Sequence, residues 1–542
     1  MIVLGVSGGH DANWCVVRDG IVLGAFEKER FTGIRHDGGE VLSLIPATLT
    51  YLSLTIEDVD LVATSEPVHR DTDSGLRRIG GNRYRAPDKS AHQVVECLGR
   101  VLPCVSVPHH LSHAAYARYA CDAEDLTVIT WDGGGDFYTE DAHCATSVSR
   151  WNGSNMSWFK RLRNSDLGSL WFTYSRAVFG DGNHAGKLMG LSALGTDRLV
   201  QDARDLFLRP APAPFDSAVT VKDCWPDYDA PPLTRRLGDW RDPQAADIAR
   251  AVQTVTTEAC LSLAESVSQV VGGGALALSG GVALNGYANN AVQRSGSFDS
   301  VFVPPAVHDG GIALGAALFA THHVLQVPRP APEANHWDFL GMGYGRGEVE
   351  RALQASGLRW RPVVPEEAEA LAVEALLSER VIAWYSGRSE HGPRALGNRS
   401  ILALPHFPSI RDRINRSIKF REPFRPLAPV VPVGSASRWF DVVGPSPWMM
   451  HIVDTLGGLE DKAPSAVHAD GTARVQTVDA TSVMGRLAET VGERTGLPML
   501  LNTSLNVKTP IVNDPSGALS AFAEVPIDLL FLEGCLVEKQ SA

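Results

Sequence analysis

The run Met1-Ile-Val-Leu-Gly-Val-Ser-Gly-Gly-His10-Asp11 opens the 542-residue chain and continues through Trp14-Cys-Val-Val17, a turn at Asp19-Gly20 and a second apolar run from Ile21 to Phe26. Two β-rich stretches split by Asp-Gly read as a hairpin, because that dipeptide supplies the positive backbone angles of a tight turn. The glycines before His10 let a phosphate approach the backbone. Further strands are expected at Leu61 to Thr64, Val105 to Val107, Leu126 to Trp131 and Gly274 to Leu278, with a helix from Val282. Strands alternating with helical stretches, each closing on a glycine-rich polar turn, predict an α/β fold whose ligands sit at strand ends.

A chain of this length exceeds one compact core, so two domains are expected. Arg209-Pro-Ala-Pro-Ala-Pro214, with proline and charge on to Asp242, reads as a surface excursion. Val327-Pro-Arg-Pro-Ala-Pro332 reads as the linker, which sets the domains at 1–340 and 341–542. Apolar residues at 44% and charged residues at 20% fit a folded enzyme, not a disordered chain. The net charge of −13 argues against broad nucleic-acid contact, which needs a basic surface. No apolar run reaches the ~20 residues of a membrane span. The eight cysteines form no CxxC pair, which reads as reduced thiols in a cytoplasmic protein.

His109 and His113 lie four residues apart at the start of an expected helix, on one face, at metal-ligand spacing. Asp132 closes a strand before three glycines, and Asp309 sits in a tight turn. For each residue alone a core, turn or cap role is the ordinary reading; as a set, two imidazoles and two carboxylates form a mixed site suited to iron or manganese. Ser279-Gly280-Gly281 with Asn285 offers backbone N–H groups at a helix start, a cradle for a nucleotide. Gly186-Lys187 offers a similar turn, with Lys187 placed either for an anion or for solvent.

The stronger cationic signal is C-terminal: His391-Gly-Pro-Arg394-Ala-Leu-Gly-Asn398-Arg399-Ser400, then Lys419-Phe-Arg421-Glu-Pro-Phe-Arg425. Arginines among glycine and proline in an acidic protein point to a preorganised anion pocket, not to surface ion pairs. Arg474, Asn502 and Ser504 extend the polar set.

The opening hairpin resembles that of actin-like ATPases and sugar kinases. Read together, Gly9-His10-Asp11-Ala12, His109 to Ala115, Asp132-Gly133-Gly134, Gly186 to Leu191, Ser279 to Val282, His391 to Ser400, Lys419 to Pro429, His468 to Val478 and Leu501 to Ser504 resemble the NodU/CmcH carbamoyltransferase family. The resemblance implies an N-terminal actin-like (ASKHA, Kae-like) domain and a C-terminal YrdC-like α/β domain. It implies that Arg394, Arg399, Lys419, Arg425, Met449, Arg474, Asn502 and Ser504 hold ATP and carbamoyl phosphate to form carbamoyl-adenylate. It assigns a nucleotide site in the N-terminal domain to Gly133, Gly134, Gly186, Gly280, Gly281 and Asn285. A divalent metal on His109, His113, Asp132 and Asp309, expected to be Fe2+ with Mg2+ able to accompany ATP, would bind the adenylate phosphate. His10 is expected as general base, with Asp11, Lys187 and Arg35 beside it; Arg35 stands where the family shows lysine. The acceptor would be a hydroxylated small molecule, antibiotic tailoring being the family habit, with no nucleic-acid or membrane partner and with a homodimer allowed. The alternatives are a tRNA threonylcarbamoyl transferase-like enzyme, which the charge disfavours, and a nucleotide-binding regulator.

Overall fold

The computed structural model describes residues 1–65, 73–81, 90–137, 143–162, 166–208, 233 and 237–539. The expected excursion from Arg209 to Asp242 falls mostly outside them.

The chain forms two compact units, Met1–Lys28 with His36–Trp337, and Glu29–Arg35 with Asp338–Ala542. A segment of seven residues near the N-terminus, Glu29 to Arg35, thus belongs to the unit built from the C-terminal third. Nothing in its composition separates it from the sequence on either side.

The first unit holds two sheets. In the first, β1 (Ile2–Ser7), β2 (Asn13–Arg18) and β3 (Ile21–Glu27) form the expected hairpin and its neighbour, followed by β4 (Leu61–Thr64), β5 (Arg77–Gly81), β6 (Ala91–Cys97) and β7 (Arg100–Ser106). Their order is β3-β2-β1-β4-β7-β6-β5. The second contains β8 (Asp125–Phe137), β9 (His143–Asn152), β10 (Asn155–Leu162), β11 (Ala275–Ser279) and β12 (Ser300–Phe302), ordered β10-β9-β8-β11-β12.

The two sheets repeat one topology. In each, the first strand pairs antiparallel with the second and the second with the third, while the first pairs parallel with a strand that is itself parallel to a further one. Parallel pairing requires crossovers, and the strands concerned are buried on both faces, as apolar runs without alternation demand. Val3, Leu4 and Val6 in β1, and Leu126, Val128 and Ile129 in β8, are at most 1% exposed.

The expected helix at His109 is present as His109–Ala120. The helix expected from Val282 begins instead at Gly286, after a 3₁₀ turn over Gly281–Leu284, because Asn285 caps it by accepting from the Ala288 N–H at 3.1 Å.

The second unit is a mixed eight-stranded sheet. It is built from β13 (Arg359–Pro362), β14 (Ile382–Tyr385), β15 (Arg399–Ala403), β16 (Ala428–Pro432), β19 (Gln476–Val478), β20 (Leu500–Ser504), β21 (Leu529–Leu532) and β22 (Cys535–Glu538), with a separate pair β17 (Ile452–Asp454) and β18 (Thr472–Arg474). Alternate residues of β14 feed two cores: Ala383 and Tyr385 join one, Ile382 and Trp384 the other. Among the described residues no helix is long and apolar enough to cross a membrane.

Candidate active site

One helix, strand β8 and the turn at Asp309, all in the first unit, bring one cluster together. His109 and His113 stand one turn apart on their helix, so their rings share a face, and their centroids lie 4.8 Å apart. Both Nε2 atoms are 3.0 Å from Asp132 Oδ2, and Asp309 Oδ1 lies 3.5 Å from His109 and 3.2 Å from His113. The intervening His110 faces elsewhere, its ring nitrogens against the Ser147 hydroxyl and the Gly134 carbonyl.

Burial opposes ionisation of Asp132, but hydrogen bonds from His109 and His113 outweigh it and hold the carboxyl well below its usual range. Two carboxylates facing two imidazoles, all four donor atoms within 4.8 Å of one another, are a donor set that fits a divalent cation.

A second group lies on the hairpin. The His10 Nδ1 is 3.0 Å from Asp11 Oδ2, and the His36 Nδ1 is 2.8 Å from Asp11 Oδ1. The hydrogen bond with Asp11 is the main cause of a His10 pKa pushed up to about 9, against burial and with help from the Asp11, Asp309 and Asp132 charges. A cation on Asp132 and Asp309 would cancel part of that effect.

Just beyond the end of β11 the backbone nearly touches β8 at Trp131, a strand that runs on past the expected stop at Asp132 to Phe137. A Cβ on Gly280, whose φ is +86°, would stand 2.1 Å from the Trp131 carbonyl oxygen, so only glycine fits. Gly133 N–H donates to Asp132 Oδ1, and Gly281 lies against the same oxygen.

The second unit gathers cations. Arg35, Arg394, Lys419, Arg421, Arg425 and Arg474 all belong to it. Burial first, then the neighbouring arginines, pushes Arg394 down to about 10 and Arg421 to about 9; Arg474 and Lys419 are also depressed well below their ordinary values. Glu422 is the acidic neighbour of Arg425, at 3.9 Å. The Nε atoms of Arg394 and Arg474 are buried without a hydrogen-bond partner among the described residues. Cations held together against their own repulsion, with donors unspent, form an anion site.

The loop that presents Arg394 is rigid for a visible reason: Glu390 Oε1 accepts from the N–H groups of Leu396, Asn398 and Arg399 at 2.9–3.0 Å.

A family model described as Carbamoyltransferase N-terminus matches residues 68–318, and one described as Carbamoyltransferase C-terminus matches residues 373–539. The chain is 30% identical to the 3'-hydroxymethylcephem-O-carbamoyltransferase of Amycolatopsis lactamdurans, over 93% of each. It is 31% identical to nodulation protein NolNO of Sinorhizobium fredii, over 100% of this chain and 83% of that one. Nodulation protein U of the same species is 28% identical over the full length of both. The chain belongs to the carbamoyltransferase family.

As a member of that family the chain is a transferase, and its remaining expected site residues take distinct places. Lys187 sits on the helix Ala185–Ser192 with Nζ 5.6 Å from the Phe179 ring centroid. Gly186, on the same helix, faces open space. Lys419 Nζ donates to the carbonyls of Ser504 and Asn506 and to Asn506 Oδ1, which fixes the ammonium inside the cationic group. Asn502 Nδ2 donates to the Ala395 carbonyl and to Gln476 Oε1, while its Oδ1 is buried without a hydrogen-bond partner among the described residues. Met449 is 3% exposed at φ +58°.

Two residues of this carbamoyltransferase carry roles other than those expected. Arg399 donates to the carbonyls of Ser386, Asn398, Gly387, Met342 and Asn513 at 2.8–3.4 Å and lies over the Tyr385 ring at 3.6 Å, so every N–H is spent on the frame and none remains for phosphate. Asn285 is engaged by its helix cap and by a reciprocal pair with Gln253, which makes it a structural residue. Conversely, Arg421 and His36 belong to the clusters although the sequence reading left them unassigned; Arg421 stood inside the quoted arginine motif, and His36 carried no signal beyond its place after Arg35.

Proposed function

We propose that this carbamoyltransferase is an ATP-dependent O-carbamoyltransferase that makes carbamoyl-adenylate in its second unit and transfers the carbamoyl group to a hydroxyl in its first. The observation that carries the reading is the separation of two complete sites, a cationic pocket in one unit and a His2Asp2 cluster in the other. The cephem O-carbamoyltransferase relative supports a hydroxyl acceptor.

In the second unit, carbamoyl phosphate is hydrolysed to carbamate and phosphate. A carbamate oxygen then attacks the α-phosphorus of ATP, the bond to the β-phosphate breaks, and pyrophosphate leaves. Arg394, Arg421, Arg425 and Arg474 bind the polyphosphate and stabilise charge on the transferring group, and Lys419 orients it. The unit is read as YrdC-like.

In the first unit, whose repeated sheet topology supports the actin-like reading, His109, His113, Asp132 and Asp309 would hold a divalent ion. When bound, that ion supplies positive charge for the adenylate phosphate and eases its departure as AMP. His10 takes the proton of the acceptor hydroxyl as it attacks the carbamoyl carbon. Gly280 and Gly281 form the close approach to β8, where the nucleotide is read to sit with Gly133, Gly134 and Gly186 assigned to it, and Lys187 is assigned to its phosphate.

The test is exchange of label between pyrophosphate and ATP. Exchange that requires carbamoyl phosphate supports adenylation; formation of ADP, or exchange indifferent to carbamoyl phosphate, refutes it.

A further inference from the structure

We propose that His36 is a positioning residue for His10, acting through the Asp11 carboxylate. The inference rests on the reading of His10 as the base for the acceptor hydroxyl.

The three side chains form a chain of contacts with one carboxylate at its centre. Asp11 Oδ2 faces His10 Nδ1 at 3.0 Å and Oδ1 faces His36 Nδ1 at 2.8 Å, and the two rings stack at 4.8 Å with 24° between their planes. A carboxylate held at one oxygen still swings about its last torsion, whereas engagement of the second oxygen fixes its plane. His36 supplies that second contact. With Nδ1 of His10 donating to Oδ2, the Nε2 lone pair is left to take a proton.

The frame around the trio is tied on both sides. Asn13 Nδ2 donates to the carbonyls of Asp11 and Asp309, each at 2.8 Å, which couples the hairpin to the turn carrying a cluster carboxylate. The loop after His36 is pinned to the hairpin: Ala12 N–H donates to the Asp37 carbonyl, Gly39 N–H to the Gly8 carbonyl, and Lys28 Nζ to the Gly38 carbonyl while pairing with Asp37.

Asp11 and His36 both adopt left-handed backbone, at φ +58° and +55°. Asp and His tolerate it better than most residues, yet such positions persist where the surrounding structure holds them for use.

The test compares two variants in the full-length enzyme. His36→Gly removes the ring and accepts the left-handed backbone; His36→Asn accepts it too and retains an N–H for Oδ1. His36→Gly is expected to lower kcat for acceptor carbamoylation roughly tenfold to a hundredfold, a share of the ~10²–10⁴-fold that a placed base supplies. KM for the acceptor and pyrophosphate release from ATP and carbamoyl phosphate should change less than about twofold, and His36→Asn should recover a measurable part of kcat. An unchanged kcat in His36→Gly, or a change confined to KM, overturns the inference.

A second readout does not depend on carbamoylation. Long-range proton–nitrogen correlation spectra above the His10 transition, with His10→Asn locating the resonance, should show His10 protonated at Nδ1 in the wild type and a tautomer mixture in His36→Gly. Protonation at Nε2 in the wild type, or a second divalent ion per chain that His36→Gly abolishes, refutes the role of His36 even if the enzyme carbamoylates its acceptor. Absence of carbamoylation in the wild type with the expected spectra would refute the function and leave the positioning intact.

Discussion

His113 Nε2 stands 3.0 Å from Asp132 Oδ2, in a side chain 1% exposed. The Asp132 side chain is 14% exposed, a burial that is costly for a charged carboxylate unless something positive stays beside it, and the arrangement of His109 and Asp309 around the pair would give a divalent ion that place. Asp132→Asn and His113→Ala should each remove the bound metal, measured by elemental analysis of purified protein. They should reduce acceptor carbamoylation by more than about 100-fold, beyond what loss of a supporting contact causes, while pyrophosphate release continues.

Arg399 and Arg474 should respond in opposite ways. Arg399→Ala strands buried carbonyls that five N–H contacts now satisfy, so calorimetry should show a loss of about 3–5 kcal/mol. Arg474→Ala relieves repulsion from Arg394, Arg421 and Arg425, so the ligand-free protein should be no less stable. Pyrophosphate at about 100 times its Kd should stabilise the wild type by about 2.7 kcal/mol, and Arg474→Ala should lose most of that gain.

Much of this contrast was legible in the sequence as one arginine-rich motif, yet residue type could not divide it. Arg394 and Arg399 stand five apart, the first in the loop before β15 and the second opening that strand; strand pairing of β15 turns Arg399 into the interior, while the Glu390-pinned turn leaves Arg394 with an unspent Nε among the described residues. The grouping of these four side chains was readable because helical spacing fixes His109 and His113 on one face and because glycines follow both Asp132 and Asp309; the continuation of β8 past Asp132 to Phe137 was not, since three glycines read as a strand end. The repeated sheet topology was not, since backbone pairing repeats without repeating side chains. The assignment of Glu29–Arg35 to the second unit depends on contacts distant in sequence, such as Arg30 Nη2 with the Gly392 carbonyl and Arg35 Nη2 with that of Thr509.

Acid should weaken the protein through His451. Burial pushes its pKa down to about 4. Between about 6.5 and 4 the unfolded chain binds a proton that the folded one refuses, so stability falls as pH drops across that window and levels off below it. The shift is worth on the order of 3 kcal/mol. His451→Asn should flatten the dependence of Tm on pH between 7 and 4; an equal slope in both proteins would contradict the assignment.

Base catalysis by His10 sets the sign of a rate profile. A group whose pKa is raised toward about 9 is protonated at neutral pH, so kcat/KM for carbamoylation should climb with pH on a limb between about 6.5 and 9. The Asp11→Asn variant removes the largest cause of the elevation, so the limb should move to lower pH as the maximum rate drops.

The most direct test is mass spectrometry of the products formed from iron-loaded protein, ATP, carbamoyl phosphate and a panel of hydroxylated small molecules. Pyrophosphate and AMP appearing together with one acceptor heavier by a single carbamoyl group is the predicted result; ADP as the nucleotide product, or carbamoylation without ATP consumption, would contradict the two-site account.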